Sequence, residues 1–338
     1  MKIFDPSGYV HIRDILSAGY PFNFIVGGRG TGKTFTALKT AVEDEQLFML
    51  MRRTQIQADL ISKPEFSVFK PLNKILGWDI QPKSISKYNS MFYRTVSDQQ
   101  IPVGYSCALS TLSSMRGFDA SDIRILIYDE FIPEPHEHLL KHEADALWNA
   151  YETMNRNREL SGEAALQLLC LANSNDIANP VFESLGLIRI ADRMQQTGSM
   201  RWTDDKRGIQ LIVITKSPIS TAKSTTALYA LTEGTDFAAM ALSSDFRVDR
   251  SHIRPRPLSE YIPVVTIGFL AIYRHKSQTR LYCTLHKSGT FPRNLSSSET
   301  DTLQYRRLYR THWIMYLSGS IDFEDVVSET TFRSIWNS

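Results

Sequence analysis

Two short stretches of this chain carry residue types whose order suits phosphate chemistry. Gly27-Gly28-Arg29-Gly30-Thr31-Gly32-Lys33-Thr34 fits G-x-x-x-x-G-K-[ST], the pattern of a phosphate-binding (Walker A) loop. Glycines let backbone N–H groups turn toward phosphate oxygens, Lys33 reaches the β/γ-phosphates, and the Thr34 hydroxyl ligates Mg²⁺. The second stretch, Ile123-Arg124-Ile125-Leu126-Ile127-Tyr128-Asp129-Glu130, is apolar and ends in two carboxylates. Strand ends often carry acids for solubility alone. Downstream of a phosphate loop, however, Asp129 is expected to support the metal and Glu130 to polarise the attacking water as general base.

Further polar groups stand beside these two. Arg52 and Arg53 close an apolar run at residues 46–51 and read either as a solvated strand end or as charge near the phosphates. Arg116, in a loop before the acidic strand, is expected to contact nucleotide or a neighbouring subunit, with a surface arginine beside Gly117 as the plain alternative. Arg156 and Arg158 end a helix expected over residues 136–157. Compensation of the helix dipole, about 0.3–1 kcal/mol, and projection toward a neighbouring subunit are both compatible with their local features. His136, His138 and His142 have near-helical spacing, but Glu137, Glu143 and Asp145 among them favour a solvated polar face over a metal site. Residues 166–172 are wholly apolar but for Gln167 and lead into Asn173, a polar tip that either senses the γ-phosphate or forms a turn.

The elements that must position these groups follow from the hydrophobic pattern. Residues 22–26 read as a buried strand and 33–44 as a helix aimed at the phosphates. A short helix is expected over 7–18, and helices over 56–76 interrupted at Pro64 and Pro71. A polar, aromatic-bearing meander is expected over 80–105, and a short strand over 107–112. The order phosphate-loop strand, acidic strand, polar-tipped strand, with helices between, predicts a doubly wound α/β core. The 338 residues suffice for two domains, and 38 Lys+Arg against 36 Asp+Glu give a formal net charge of +2, so bulk charge alone does not indicate nucleic acid. Cys107, Cys170 and Cys283 are far apart, which suits buried thiols in a reducing compartment rather than a disulfide framework. The first residues do not read as a signal peptide, and the longest apolar run, 262–273, is too short to span a bilayer. A soluble cytosolic protein is expected.

The set Asn23 to Lys33, Met51-Arg52-Arg53, Tyr128-Asp129-Glu130-Phe131-Ile132, Arg156-Asn157-Arg158-Glu159 and Leu169-Cys170-Leu171-Ala172-Asn173 resembles the DNA-packaging ATPase (encapsidation protein) of phi-29-like podophages. The likeness covers about residues 20–190, with only general layout beyond. It implies a P-loop ATPase of the additional-strand, catalytic-glutamate (ASCE) class, related to large terminases. As a homopentameric ring, such a protein would translocate viral double-stranded DNA into a procapsid in the host cytoplasm, docked on the portal (connector) vertex. ATP and Mg²⁺ are the implied cofactors. Gly27 to Thr34 would hold nucleotide, Thr34 and Asp129 the metal, and Glu130 would be the catalytic base. Arg156 would be the arginine finger acting on a neighbour's nucleotide, and Arg116 falls where the family has a lysine. A packaging RNA is a further partner that the resemblance allows, and no membrane is involved.

These readings divide the chain into an ATPase domain (1–190), a lid or linker (191–245) that holds a strand-like run at 209–215 and is expected to cover the nucleotide, and a smaller α+β domain (246–338). The last opens with Arg247, Arg250, Arg254 and Arg256, and its strand pair at 262–273 and 280–286 fits an RNase H-like sheet. Nucleases of that fold hold two metals about 4 Å apart with carboxylates on adjacent strands. Neither strand here carries one, and Asp322, Glu324 and Asp325 read as a solvated turn, so a vestigial domain without nuclease activity is expected. Its arginines, with Arg306, Arg307 and Arg310, are available for phosphate contacts, and the loops at 83–94 and 99–105 are candidates for touching DNA. The alternatives are a terminase large subunit that also cuts DNA and a slowly hydrolysing assembly factor. Glu130 speaks against the second. No N-K-x-D guanine-reading motif follows the acidic strand, which favours ATP over GTP.

Overall fold

The computed structural model describes residues 1–115, 119–134, 137, 140, 142–235 and 250–337. The chain forms two compact units, Met1–Leu185 with Arg193–Arg247, and Gly186–Asp192 with Val248–Ser338. In the first unit the strands are β1 (Phe22–Gly27), β2 (Phe48–Arg52), β3 (Ile80–Ser84), β4 (Ser90–Val96), β5 (Gln99–Ala108), β6 (Ile125–Asp129), β7 (Gln167–Asn173), β8 (Arg201–Asp204) and β9 (Ile209–Ile214). They make one nine-stranded sheet in the order β3-β4-β5-β2-β6-β7-β1-β9-β8. Neighbours from β5 to β9 are parallel. The outer pairs β3/β4, β4/β5 and β8/β9 are antiparallel. The inner strands are near-continuous apolar runs, as parallel strands buried on both faces must be.

This order positions the polar groups. β7 lies between β1 and β6, pairing Gly27 with Asn173 and Asp129 with Leu171, so the phosphate loop, Asn173 and the two acids share one sheet edge. Below that edge, the rings of Phe48, Phe69 and Phe92 pack with centroids 5.1–6.3 Å apart. Gly104, opposite Phe48 in the ladder, leaves room for its ring; a Cβ there would lie 2.3 Å from Phe48 Cζ. Fully burying one such side chain contributes about 1.5–3 kcal/mol.

Several elements differ from the sequence reading. The strand-like run at 209–215 is β9, but with β8 it joins the first sheet instead of standing in a separate lid or linker, because Ile-Gln-Leu-Ile-Val-Ile pairs along the whole of β1. The first helix is only Ile12–Leu16, since Gly8 adopts φ +83° and Phe4 bridges Val10. Cys107 and Ala108 end β5 rather than start a strand, and a 3₁₀ helix, Leu109–Met115, follows. Pro71 does not interrupt a helix but starts one, Lys70–Leu76, where its missing N–H is harmless. The helix after the acidic strand is Glu143–Asn155, with His142 as its N-cap, while His136 and His138 lie outside the described residues.

The second unit holds β10 (Tyr261–Ile267), β11 (Leu270–His275), β12 (Leu281–Thr284), β13 (Asn294–Leu295) and β14 (Ile321–Phe323), in the order β13-β10-β11-β12-β14. The run 262–273, read as one strand, turns at Gly268 (φ +55°) and forms the antiparallel pair β10/β11. β13 runs parallel to β10, and β14 parallel to β12. The helices Glu299–Leu308, Arg310–Leu317 and Val326–Asn337 bring Tyr305, Trp313, Tyr316, Phe332 and Trp336 onto this sheet's core.

Asp322 corrects the expectation of a solvated turn: it sits inside β14, 1% exposed. Arg256 Nε donates to it at 2.9 Å and Arg280 Nη1 at 2.7 Å. Arg306 donates to the Ile335 carbonyl, whereas Arg254, Arg307 and Arg310 are exposed. Arg247 and the side chain of Arg250 lie outside the described residues. All three cysteines are buried free thiols. Among the described residues, no helix is long and apolar enough to cross a membrane.

Candidate nucleotide-binding site

The loop after β1 takes its shape from its glycines. Gly32, at φ +81°, is the N-cap of the helix Lys33–Glu43, and a Cβ on it would lie 2.4 Å from the Tyr9 ring. Gly30 also has a positive φ, +75°. Thr31 is fully buried and its hydroxyl donates back to the Gly28 carbonyl at 3.1 Å, closing the loop on itself. The loop, Asn173 and the ends of β6 surround an open cavity of about 230 Å³, lined by Gly30, Lys33, Thr34, Asp129, Glu130 and Asn173 among others.

Lys33, 7% exposed, points its ammonium at oxygens that carry no charge. Nζ donates to the carbonyls of Gly27 and Gly28 at 3.0 and 2.9 Å, and lies 3.3 Å from Thr31 Oγ1 and from Asn173 Oδ1. Burial pushes its pKa down to about 8; Asp129 works against that fall and Lys223 adds to it. A buried cation at the mouth of a cavity, with neutral oxygens for partners, fits an anion such as phosphate.

Across the cavity, Thr34 Oγ1 lies 3.0 Å from both carboxylate oxygens of Asp129. Asp129 is 3% exposed. Burial pushes its pKa up, and the Arg52 guanidinium opposes that rise. Arg52 Nη2 lies 2.9 Å from Asp129 Oδ2, while Nη1 contacts Glu130. Among the described residues, the buried Arg52 Nε has no hydrogen-bond partner. The Glu130 side chain is 53% exposed, on a backbone held at φ +61°, a conformation that costs a non-glycine residue free energy and clusters at functional sites. A hydroxyl and two carboxylates at a cavity are hard oxygen donors, which suit Mg²⁺.

The sequence alone leaves Arg52 undecided, because the strand pairing that brings it to the acids is not in the local pattern. β2 and β6 are parallel neighbours with Met51 opposite Tyr128, so the next residue on each strand is Arg52 and Asp129. Arg53 points elsewhere. It is fully buried and holds Glu143 through two 2.8 Å bonds, from Nε and Nη2, and Glu143 also accepts from the Tyr128 hydroxyl at 2.7 Å. This ties the helix Glu143–Asn155 to β2 and β6, and it corrects the expectation that Glu143 belonged to a solvated face.

The remaining predicted residues lie apart from the cavity. Arg29 is half-exposed and its guanidinium pairs with Glu134. Arg156 follows the helix Glu143–Asn155 with φ +50° and ψ −131°, 52% exposed, and its Nη1 lies 3.6 Å from Asp119. Arg158 is buried and donates to the carbonyls of Ala120 and Ser121 at 2.9 and 2.8 Å, a structural use. Arg116 lies outside the described residues.

Over 321 residues the chain is 24% identical to the DNA packaging protein of Bacillus phage PZA, covering 91% of this chain and 88% of that protein. It shares the fold of the bacteriophage phi-29 viral genome packaging motor assembly, with TM-score 0.66 and 16% identity over 98% of this chain and 99% of that one. The phi-28 DNA packaging motor is also similar, with TM-score 0.62 and 17% identity over 97% of this chain and 96% of that one. The family model described as podovirus DNA encapsidation protein (Gp16) matches residues 4–268, and the chain belongs to that family.

Proposed function

We propose that this protein is the ATP-hydrolysing motor that translocates viral double-stranded DNA into a procapsid, working as a homopentameric ring on the portal vertex in the host cytoplasm. The observation that carries the reading is the cluster of Lys33, Thr34, Asp129 and Glu130 around one cavity, with Arg52 against both acids, on a chain of the encapsidation family. The position of β7 between the loop strand and the acidic strand supports the additional-strand ATPase class.

In this reading Mg²⁺-bound ATP supplies the scissile phosphoanhydride and the charge the site must neutralise. Gly27 to Thr34 offer the backbone cradle, and the Lys33 ammonium exchanges carbonyl partners for phosphate oxygens. Thr34 and Asp129 hold the metal, and Glu130, released from Arg52, orients water and takes its proton. Arg156 sits on exposed, strained backbone, which suits a guanidinium offered to a neighbouring subunit's phosphates. Arg116 retains its assignment to nucleotide contact from the family resemblance.

For the second unit, β10-β11-β12 with β13 beside β10 supports an RNase H-like sheet. The two guanidinia on Asp322 support a vestigial rather than a DNA-cutting domain. Exposed Lys83, Lys87 and Arg94 on the β3/β4 hairpin suit contact with DNA backbone. A packaging RNA remains a compatible partner.

The test is steady-state ATP hydrolysis by the purified chain with and without double-stranded DNA, for the wild type and Glu130→Gln. Hydrolysis stimulated by DNA and lost in the variant supports a DNA-coupled motor. Hydrolysis indifferent to both changes rules it out.

A further inference from the structure

The segment after β9 places a second lysine at the phosphate loop. β9 is the parallel neighbour of β1, with Ile214 opposite Gly27, so the chain leaving β9 emerges beside the loop, on the edge where open α/β sheets bind ligands. There the short helix Pro218–Lys223 forms. The Ser217 hydroxyl caps it, accepting from Ser220 N at 3.0 Å, and Pro218 packs so close to Gly8 that a Cβ there would lie 2.9 Å from Pro218 Cβ. Anchored at its start, the helix presents Lys223 from its last turn.

Lys223 Nζ donates to the Arg29 carbonyl at 2.9 Å, at the apex of the loop. The approach depends on the glycine that follows, because a Cβ on Gly30 would sit 1.9 Å from Nζ. On the far side, the Glu134 carboxylate is taken by the Arg29 guanidinium, so that acid does not neutralise the lysines. Two ammonium groups thus approach one loop and are hydrogen-bonded to neutral oxygens. Like charges so arranged are costly alone and favourable around a polyanion. A charge-assisted bond to phosphate is about twice as strong as one to a neutral carbonyl, so an incoming polyphosphate outcompetes the Arg29 oxygen.

We infer that Lys223 is a phosphate-binding residue of the nucleotide site, exchanging the Arg29 carbonyl for an oxygen of the bound triphosphate. This rests on the reading of Gly27 to Thr34 as a nucleotide site. It gives the segment after β9, expected as a lid or linker covering the nucleotide, a named ligand-dependent contact with the loop.

The test is calorimetric titration of the full chain with Mg-ATP, Mg-ADP and AMP, for the wild type and for Lys223→Ala, Lys223→Gln and Lys223→Arg. Glutamine keeps an N–H donor for the Arg29 carbonyl and removes the charge. Affinity for ATP is expected to fall about tenfold in the alanine and glutamine variants, less for ADP, and not at all for AMP, with arginine restoring most of it. ATP binding unchanged in Lys223→Ala overturns the inference. So does an equal loss for all three nucleotides, or full affinity in Lys223→Gln, since either assigns the lysine to holding the loop. A wild-type chain that binds no nucleotide overturns the site itself, and that result is read before any variant is compared.

Discussion

Asp129 and Asp322 are the same device in two surroundings. Each is a carboxylate on a strand, almost wholly buried, with guanidinium against it. Asp129 shares one arginine with Glu130; its oxygens also meet the Thr34 hydroxyl, and it faces a cavity that contains Lys33. Asp322 has two arginines to itself. A carboxylate with one shared counter-charge and an open side can take a divalent cation, whereas one closed by two guanidinia is already neutralised. What faces the oxygens decides the role, not the residue type or its place on a strand.

The largest break in this symmetry is expected in rate. Glu130→Gln should lower kcat for ATP about 10²–10⁴-fold with ATP affinity kept, as loss of a general base does. Glu324→Gln, the acid two residues after Asp322, should leave kcat unchanged; equal losses would mean that both units serve the same chemistry. Next comes the buried pair behind the site. Arg53→Ala leaves the buried Glu143 without its guanidinium partner and is expected to cost about 3–5 kcal/mol, read as a lower denaturant midpoint. Asp322→Asn is milder, about 1–2 kcal/mol, because Arg256 and Arg280 are 38% and 28% exposed and water takes over their charge. ATP hydrolysis should survive it.

A subtler separation comes from pH. Burial holds Lys33 at about 8 against an ordinary 10.5. Its folded pKa lies below its unfolded one, so the destabilising cost of the buried ammonium is fully present below about pH 8 and is relieved as pH rises toward 10.5. Affinity for ATP moves the other way, because the ammonium binds phosphate. It should fall as pH rises through about 8, by up to tenfold per unit, and Lys33→Arg should flatten the profile. Calorimetric titrations across that range measure it. Glu134→Ala, which breaks a half-exposed ion pair with Arg29, is expected to change stability by less than about 1 kcal/mol.

The phosphate loop and the acidic pair were legible in the sequence because their chemistry lies in adjacent residues with a fixed pattern. The inner strands were legible because they are unbroken apolar runs. What was missed depended on partners far along the chain. Arg53 and Glu143 are 90 residues apart, and Asp322 is 66 and 42 residues from its two arginines, so each acid looked like ordinary surface charge. β9 was legible as a strand but not as a neighbour of β1, since an apolar run does not say which sheet it joins. The turn between β10 and β11 was hidden because Gly268-Phe269 sits inside an apolar run and the chain reverses within it.

The most direct test of the difference between the two carboxylates is Mn²⁺ binding in the presence of ADP, followed by electron paramagnetic resonance on the full chain. One tight site per chain is expected in the wild type, lost in Asp129→Asn and kept in Asp322→Asn. A site that survives Asp129→Asn and disappears with Asp322→Asn would contradict this expectation.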